Sequence, residues 1–301
     1  MNEDNNNKVV ADLCCASCGI AEIDDIKLKD CDGCDLVKYC SDECREGHKS
    51  EHEAECKRRA TDLREELLFK QQESTHYGDC PICSLPMSTD VSKSTMYDCC
   101  GKLICNGCRH ANQIREIELR LQQSCPFCRK PAPKIGSEQY KRRMKRVEKN
   151  DPVALCQEGM MQKYKGEYVK AFEYYTKATE LGDAEANFRL AYLYQLGLGV
   201  EKDKEKEIFH LEEAAIGGHS FARYVLGWNE HDNGSIDRAV KHWTIAATLG
   251  EDDSIKTLME MFKRGFVEKD ELASALRAHK AAVDAMNSPQ RKAAEQFRRF
   301  K

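Results

Sequence analysis

The second half of the chain repeats its apolar and small positions. Set against itself at an offset of 36 residues and then 32, it aligns Leu190, Leu226 and Leu258, and likewise Phe172, Ile208 and Val240. Ala178, Ala214 and Ala246 form one column of small residues; Gly182, Gly218 and Gly250 form another. Carried on by 36 from Val240 and Ala246, the pattern reaches Leu276 and Ala282. A period in this range predicts stacked antiparallel helix pairs. The alanines let helices approach closely, and the glycines fall where one helix must end before the next begins. "GLGVEKD", residues 197–203, predicts a longer loop inside one pair, and the third repeat is shortened at "EHDNGS". Tyr174, Tyr175, Tyr192, Tyr194, Trp228 and Trp243 are expected mainly as core between helices, with a concave binding face as the alternative. "SPQRKAAEQFRRF" opens on a cap and a proline, which predicts a terminal helix covering the last repeat.

Before residue 151 this periodicity gives way to cysteine. The chain has 301 residues and 17 cysteines, all but one before residue 130. The opening "MNEDNNNKVV" lacks the apolar core of a secretory segment, and no run approaches the roughly 18–20 apolar residues that span a bilayer. The expected location is therefore intracellular, cytoplasmic or nuclear. Thiols stay reduced there, and clustered cysteines read as metal ligands. A net charge of −4 argues against general nucleic-acid or membrane binding. Residues 57–79 read as a charged helical linker. Residues 130–150 read as a basic connector, with "KRRMKR" at 141–146. A solvated helix face is the first reading of that run; a nuclear-import signal or a phosphate contact are the others.

The first cysteine cluster holds Cys15/Cys18, Cys31/Cys34, Cys40/Cys44 and His52/Cys56. Seven thiols and one imidazole suffice for two closed four-ligand zinc sites, and a closed site is structural rather than catalytic. With "CASCG", "YCSDEC" and "HKSEHEAEC", the spacing resembles the MYND zinc finger. That resemblance implies Cys15, Cys18, Cys40 and Cys44 on one ion, and Cys31, Cys34, His52 and Cys56 on the other. Cys14 has the poorer spacing to Cys18. His48 lies four residues before His52, so an exchange of ligand stays open. MYND fingers typically bind proline-containing peptides, but here Arg45 and Lys49 stand where the family has a glutamine and a tryptophan. Lys49 offers no flat apolar face for a proline.

The second cluster holds Cys80/Cys83, Cys99/Cys100, Cys105/Cys108 and Cys125/Cys128. "CPIC", "CNGC" and "CPFCR" resemble the RING finger, which implies the first and third pairs on one zinc and the second and fourth on another. Lys102 occupies the place of the usual histidine, and an ammonium has no lone pair to ligate. Cys99 and Cys100 supply the two ligands instead, as in all-cysteine RING variants, with Asp98 or His110 as substitutes. Lys102 then balances part of the surplus negative charge. The resemblance further implies that Ile82 and Pro126 contact a ubiquitin-charged conjugating enzyme, and that Arg129 bridges that enzyme and ubiquitin. A RING ligase has no catalytic residue of its own; it acts by positioning. Asn112 stands where many RINGs have tryptophan.

The repeats, with their "A-x-x-x-G" endings, resemble the SEL-type repeat, a relative of the tetratricopeptide repeat. The expected fold is therefore mainly α: two small cross-braced zinc modules followed by an α-solenoid. The expected divisions are a disordered N-terminus over 1–13, a MYND-type finger over 14–56, and the linker over 57–79. A RING-type finger over 80–129, the connector over 130–150, the solenoid over 151–287 and a capping helix over 288–301 complete them. Four Zn2+ ions are expected. The leading reading is a ubiquitin ligase whose solenoid, with or without the MYND finger, holds a protein substrate. The alternative is a non-enzymatic adaptor built from interaction modules. Methyltransferase and metallohydrolase chemistry are disfavoured, because the repeats fill residues 151–301 and neither cluster leaves an open coordination position.

Overall fold

The computed structural model describes residues 14–23, 25–134 and 136–299. The expected disordered segment, 1–13, lies outside them. The chain divides into two compact units, residues 1–70 and 71–301.

In the first unit, β1 (Lys29–Asp30) pairs antiparallel with β2 (Lys38–Tyr39). Helix α1 (Asp42–Phe69) follows. The Ser41 hydroxyl caps it by accepting from the Cys44 N–H at 3.2 Å. Asp42 and Glu43 in its first turn complement the helix dipole. The linker expected as helix over 57–79 is helical only as far as Phe69, as the tail of α1. Beyond Lys70 the chain turns polar, and its backbone finds partners outside a helix.

The second unit begins with that polar segment. A hairpin of β3 (Ser94–Tyr97) and β4 (Lys102–Cys105) follows, then α2 (Asn106–Glu118) and the basic α3 (Gly136–Val147). Four helix pairs come next. They are α4 (Pro152–Tyr164) with α5 (Tyr168–Thr179), α6 (Ala184–Leu196) with α7 (Lys204–Ile216), α8 (Ser220–Asp232) with α9 (Ile236–Thr248), and α10 (Asp252–Lys263) with α11 (Lys269–Ala285). The fold is mainly helical, as the periodicity predicted. Asp151, Asp183 and Asp203 cap α4, α6 and α7 with their carboxylates, and Pro152 opens α4, where its missing N–H costs nothing. Gly182, Gly218 and Gly250 take positive φ between 81° and 84° at the turns, a conformation that suits glycine.

A small-against-large rule holds each pair together. Gly159 of α4 lies under the Tyr175 ring of α5, and Gly227 of α8 under the Trp243 ring of α9. A methyl group at either glycine would meet that ring at 2.6 Å and 2.3 Å respectively. Tyr175 and Trp243 are fully buried in consequence. The equivalent positions of the middle pair, Ala191 and Leu211, are also buried. Tyr174, Tyr192, Tyr194 and Trp228 are half-buried.

One expectation about the end of the chain holds and one is corrected. The column projected to Leu276 keeps its register: Ala275 is buried like Ala171, Glu207 and Ala239, and Leu276 follows it as Phe172, Ile208 and Val240 follow theirs, though it is more exposed, at 40%. Helix α12 (Pro289–Arg299) does not cover the last repeat; it packs on α2 of the cysteine module. Its partner surface is an apolar and backbone-lined patch more than 170 residues upstream, which no local pattern announces.

The cysteine module is seated on the repeat turns. His76 N–H donates to the Gly218 carbonyl at 3.0 Å, Thr89 Oγ1 to the Gly250 carbonyl at 3.2 Å, and Gln71 Nε2 to Thr248 Oγ1 at 2.7 Å. Part of the repeat surface therefore serves this chain itself.

Candidate metal centres

Four quartets of side chains bring their ligand atoms within 4.8 Å of one another. They are Cys15, Cys18, Cys40 and Cys44; Cys31, Cys34, His52 and Cys56; Cys80, Cys83, Cys105 and Cys108; and Cys99, Cys100, Cys125 and Cys128. Every cysteine is free of disulfide bonding. In both clusters the first pair joins the third and the second joins the fourth, which is a cross-brace.

The spacing within the quartets tests their fit to zinc. A tetrahedron with metal–sulfur arms of about 2.3 Å has edges of about 3.8 Å. The thiol pairs lie at 3.5 Å (Cys18–Cys40), 3.7 Å (Cys31–Cys56), 3.7 Å (Cys40–Cys44), 3.9 Å (Cys83–Cys105), 3.8 Å (Cys100–Cys125) and 3.3 Å (Cys99–Cys128). Cys34 Sγ is 3.2 Å from His52 Nε2. These separations match the edges of a coordination tetrahedron and are far longer than the roughly 2 Å of a disulfide.

The backbone makes such sites by a recurring turn. After Cys15-x-x-Cys18, Cys80-x-x-Cys83 and Cys125-x-x-Cys128, the next residue enters the left-handed region: Gly19 at φ 73°, Ser84 at 52° and Arg129 at 61°. Each donates its N–H to the carbonyl of the first cysteine, at 2.8, 2.8 and 3.0 Å. The first cysteine's own N–H donates across the turn to Ile20, Leu85 and Lys130 respectively. Left-handed backbone at Ser84 and Arg129 costs about 1 kcal/mol each, a strain the closed site must hold.

Adjacent Cys99 and Cys100 reach one quartet because they occupy the tip of the β3–β4 hairpin. Tyr97 pairs with Lys102, and the four-residue loop between them closes through Gly101 N–H to the Tyr97 carbonyl at 2.8 Å. Gly101 takes φ 68°, and the Arg146 guanidinium lies where its side chain would be. Lys102 has an exposed side chain. Burial raises the Cys100 thiol to about 11, and a hydrogen bond from the Lys102 backbone only partly offsets that. Asp98 and His110 belong to no quartet: Asp98 pairs with Arg143 at 3.5 Å, and His110 rests against the Phe297 ring at 4.9 Å.

The thiol acidities show why such a group suits a cation. In the first quartet, hydrogen bonds from the Cys18, Cys40 and Ser17 backbone outweigh burial and lower Cys15 to about 6. The thiol of Cys18 pushes Cys40 up to about 12. In the third, the hydrogen bond with Cys105 lowers Cys80 to about 4, while burial raises Cys108 to about 12. Thiolates this close repel one another, and a divalent ion removes the conflict.

His48 stays outside the MYND-like quartet: Tyr39 Oη lies 3.1 Å from its Nδ1, and its ring stacks on His52 at 5.8 Å. Cys14 also stays outside. Of the expected partner-binding residues, Ile82 is 42% exposed. Pro126 is buried and so presents no surface to a partner, and Phe127 is the exposed apolar residue of that loop. The Arg129 guanidinium donates from Nη1 to Asn112 Oδ1 at 2.7 Å. The arginine is thus engaged by the residue that replaces the usual tryptophan.

Several contacts had no signature in the ligand spacing. The three arginines of "KRRMKR" are engaged by structure, while Lys141 and Lys145 are exposed, as a solvated face requires. Arg143 donates to Glu158 at 2.9 Å and pairs with Asp98; Arg146 pairs with Asp151 at 2.7 Å; Arg142 donates to the Pro131 carbonyl at 2.8 Å. His76, Glu185 and His219 also converge. Glu185 Oε2 lies 3.4 Å from His76 Nε2, 3.3 Å from His219 Nε2 and 3.3 Å from the Tyr77 hydroxyl, and Arg189 donates to Oε1 at 2.7 Å. His219 Nδ1 accepts the Ala222 N–H at 3.1 Å, which leaves the ring proton on Nε2. This trio is a polar lock between the module and the solenoid, half-buried at His76 and Glu185 and fully buried at His219. Burial opposes the Glu185 charge, but the histidines and Arg189 hold it well below the usual carboxylate range.

Comparison with known proteins places these features. A curated relative, chitin synthase regulatory factor 4 of Schizosaccharomyces pombe, is 28% identical over 86 residues, which span 28% of this chain and 14% of the relative. A Sel1 repeat protein from Oxalobacter formigenes is 27% identical, with a TM-score of 0.44 over 50% of this chain and 66% of that one. A protective antigen present in uropathogenic Escherichia coli strains, with an SLR fold, is 21% identical, with a TM-score of 0.39 over 56% of this chain and 37% of that one. Residues 15–56 match the MYND finger family, and residues 156–183, 184–219 and 220–251 match the Sel1 repeat.

Proposed function

We propose that the protein is a non-catalytic adaptor that displays protein-binding surfaces on a Sel1-type solenoid, with four structural Zn2+ ions holding its two cysteine modules. The observation that carries this reading is closure. Each quartet spends all four positions on side chains of the chain, so no open position remains for a substrate or a water. The repeats supply surface rather than chemistry. The name of the S. pombe relative, a regulatory factor, fits a protein that acts on another enzyme. Among the described residues no helix is long and apolar enough to cross a membrane.

A RING-type ubiquitin ligase is the second reading. The cross-brace of Cys80, Cys83, Cys105 and Cys108 with Cys99, Cys100, Cys125 and Cys128 favours it, as does the exposed Ile82. The bond between Arg129 and Asn112 weighs against it.

The deciding experiment incubates zinc-replete full-length protein with ubiquitin, activating enzyme and a panel of charged conjugating enzymes. The adaptor reading predicts no ubiquitin chains with any of them. Chains that disappear in Arg129→Ala and Ile82→Ala would replace it with the ligase reading.

A further inference from the structure

We infer that Arg291 supplies positive charge to the Cys80, Cys83, Cys105 and Cys108 quartet, so that helix α12 is latched to the cysteine module while that quartet holds its metal. The inference rests on the zinc reading of the quartet. Four thiolates around one Zn2+ leave a net charge of about −2, which must be offset nearby.

The guanidinium is fixed for that task. Its Nη2 lies 3.6 Å from Cys83 Sγ and donates to the Leu85 carbonyl at 3.1 Å. Its Nη1 donates to the carbonyls of Pro86 and Met286, both at 2.6 Å. Three of these acceptors belong to the turn that carries Cys83, and the fourth to the residue that ends α11. A rigid planar fork can serve all of them at once; an ammonium cannot.

Gly107, between Cys105 and Cys108, lets this happen. A methyl group there would meet the Arg291 backbone nitrogen and Cγ at 2.9 Å and its Cα at 3.0 Å. The backbone of α12 therefore rests on a bare glycine of the metal-binding turn. Around this point Phe297 packs on His110, and Lys93 pairs with Glu295 at 3.4 Å. The fourth quartet is braced differently, by Arg143 and Arg146 of α3 about its Asp98–Gly101 loop. It serves as an internal control.

The test uses zinc-loaded full-length protein and follows transfer of zinc to a chromophoric chelator, with amide exchange across 289–299 read in parallel. Arg291→Ala is expected to release one zinc about 10–100-fold faster, the usual range for an outer-shell partner. Arg291→Lys, which keeps the charge and loses the fork, is expected to recover part of that retention. Gly107→Ala, which leaves every ligand and Arg291 in place, is expected to speed amide exchange in α12. In the wild type, α12 amides are expected to lose protection in step with the first zinc released from the 80–108 quartet. Zinc content of Cys80→Ser separates the two layers. If it equals the wild type, the metal reading fails and takes the inference with it. If it falls while Arg291→Ala releases zinc at the wild-type rate, the inference alone is overturned. Arg291→Lys behaving as Arg291→Ala would overturn the charge role.

Discussion

The two cysteine modules use the same device and differ in everything around it. Each cross-braces two quartets, and each has turns in which the residue after a cysteine pair takes positive φ. The first leads into α1, a 28-residue helix that buries only His52 and Leu68. The second is built into a solenoid: repeat turns accept its hydrogen bonds, Glu185 gathers His76 and Tyr77, and arginines from α3 and α12 close on its loops. The difference teaches that a metal can fix a fold locally, while its place in a larger body is set by side chains distant in sequence.

Removing a ligand sharpens the contrast most. Structural zinc supports such modules by on the order of 10 kcal/mol. Cys34→Ser is expected to lower zinc content and abolish amide protection across 15–56. Cys105→Ser is expected to melt the 80–128 module and also lower the solenoid's melting temperature, because the seat on Gly218 and Gly250 is lost. An unchanged solenoid melting temperature in Cys105→Ser would break the comparison.

The polar lock comes next. Glu185→Gln leaves half-buried Arg189 without its charge partner and is expected to destabilise the second unit by about 1–3 kcal/mol in urea unfolding. The lock also gives stability a pH dependence. Glu185 is depressed in the folded protein, so its contribution is present above the unfolded value of about 4.3 and is lost as pH falls below it. Burial lowers His219 to about 4, so the unfolded chain takes up a proton first, near pH 6.5, and stability declines from there toward pH 4. His219→Asn keeps an N-cap acceptor and is expected to flatten the decline between those values, measured as the urea midpoint against pH.

Packing inside the repeats is expected to give a smaller effect, confined to the second unit. Gly227→Ala forces a methyl against the Trp243 ring and is expected to cost about 1–3 kcal/mol, seen as a lower melting temperature with zinc content unchanged. Arg129→Ala is expected to cost about 1 kcal/mol through the lost bond to Asn112 and to leave zinc content intact.

The quartets were legible because ligand pairs lie a few residues apart and four such pairs recur in each cluster, more than a single redox dithiol would need. The helix pairs were legible because stacking imposes one period on every repeat. Cys99 and Cys100 were legible as a pair, but the hairpin tip that turns both inward depends on Gly101 and the Tyr97–Lys102 pairing. What could not be read is how the modules are held. Arg291 meets Leu85 and Pro86 from more than 200 residues away, and Glu185 meets His76 across more than 100. Such contacts leave no periodic trace. Gly107 and Gly101, small residues beside the clustered cysteines, were local hints that another segment comes close.

Metal content of the purified full-length chain, measured by elemental mass spectrometry against protein concentration, tests the central claim most directly. Four zinc ions per chain, falling by one in Cys80→Ser and by one in Cys125→Ser, is the predicted result. Two ions per chain, unchanged in both variants, would contradict it, leaving the second module without its metal and the adaptor without half of its framework.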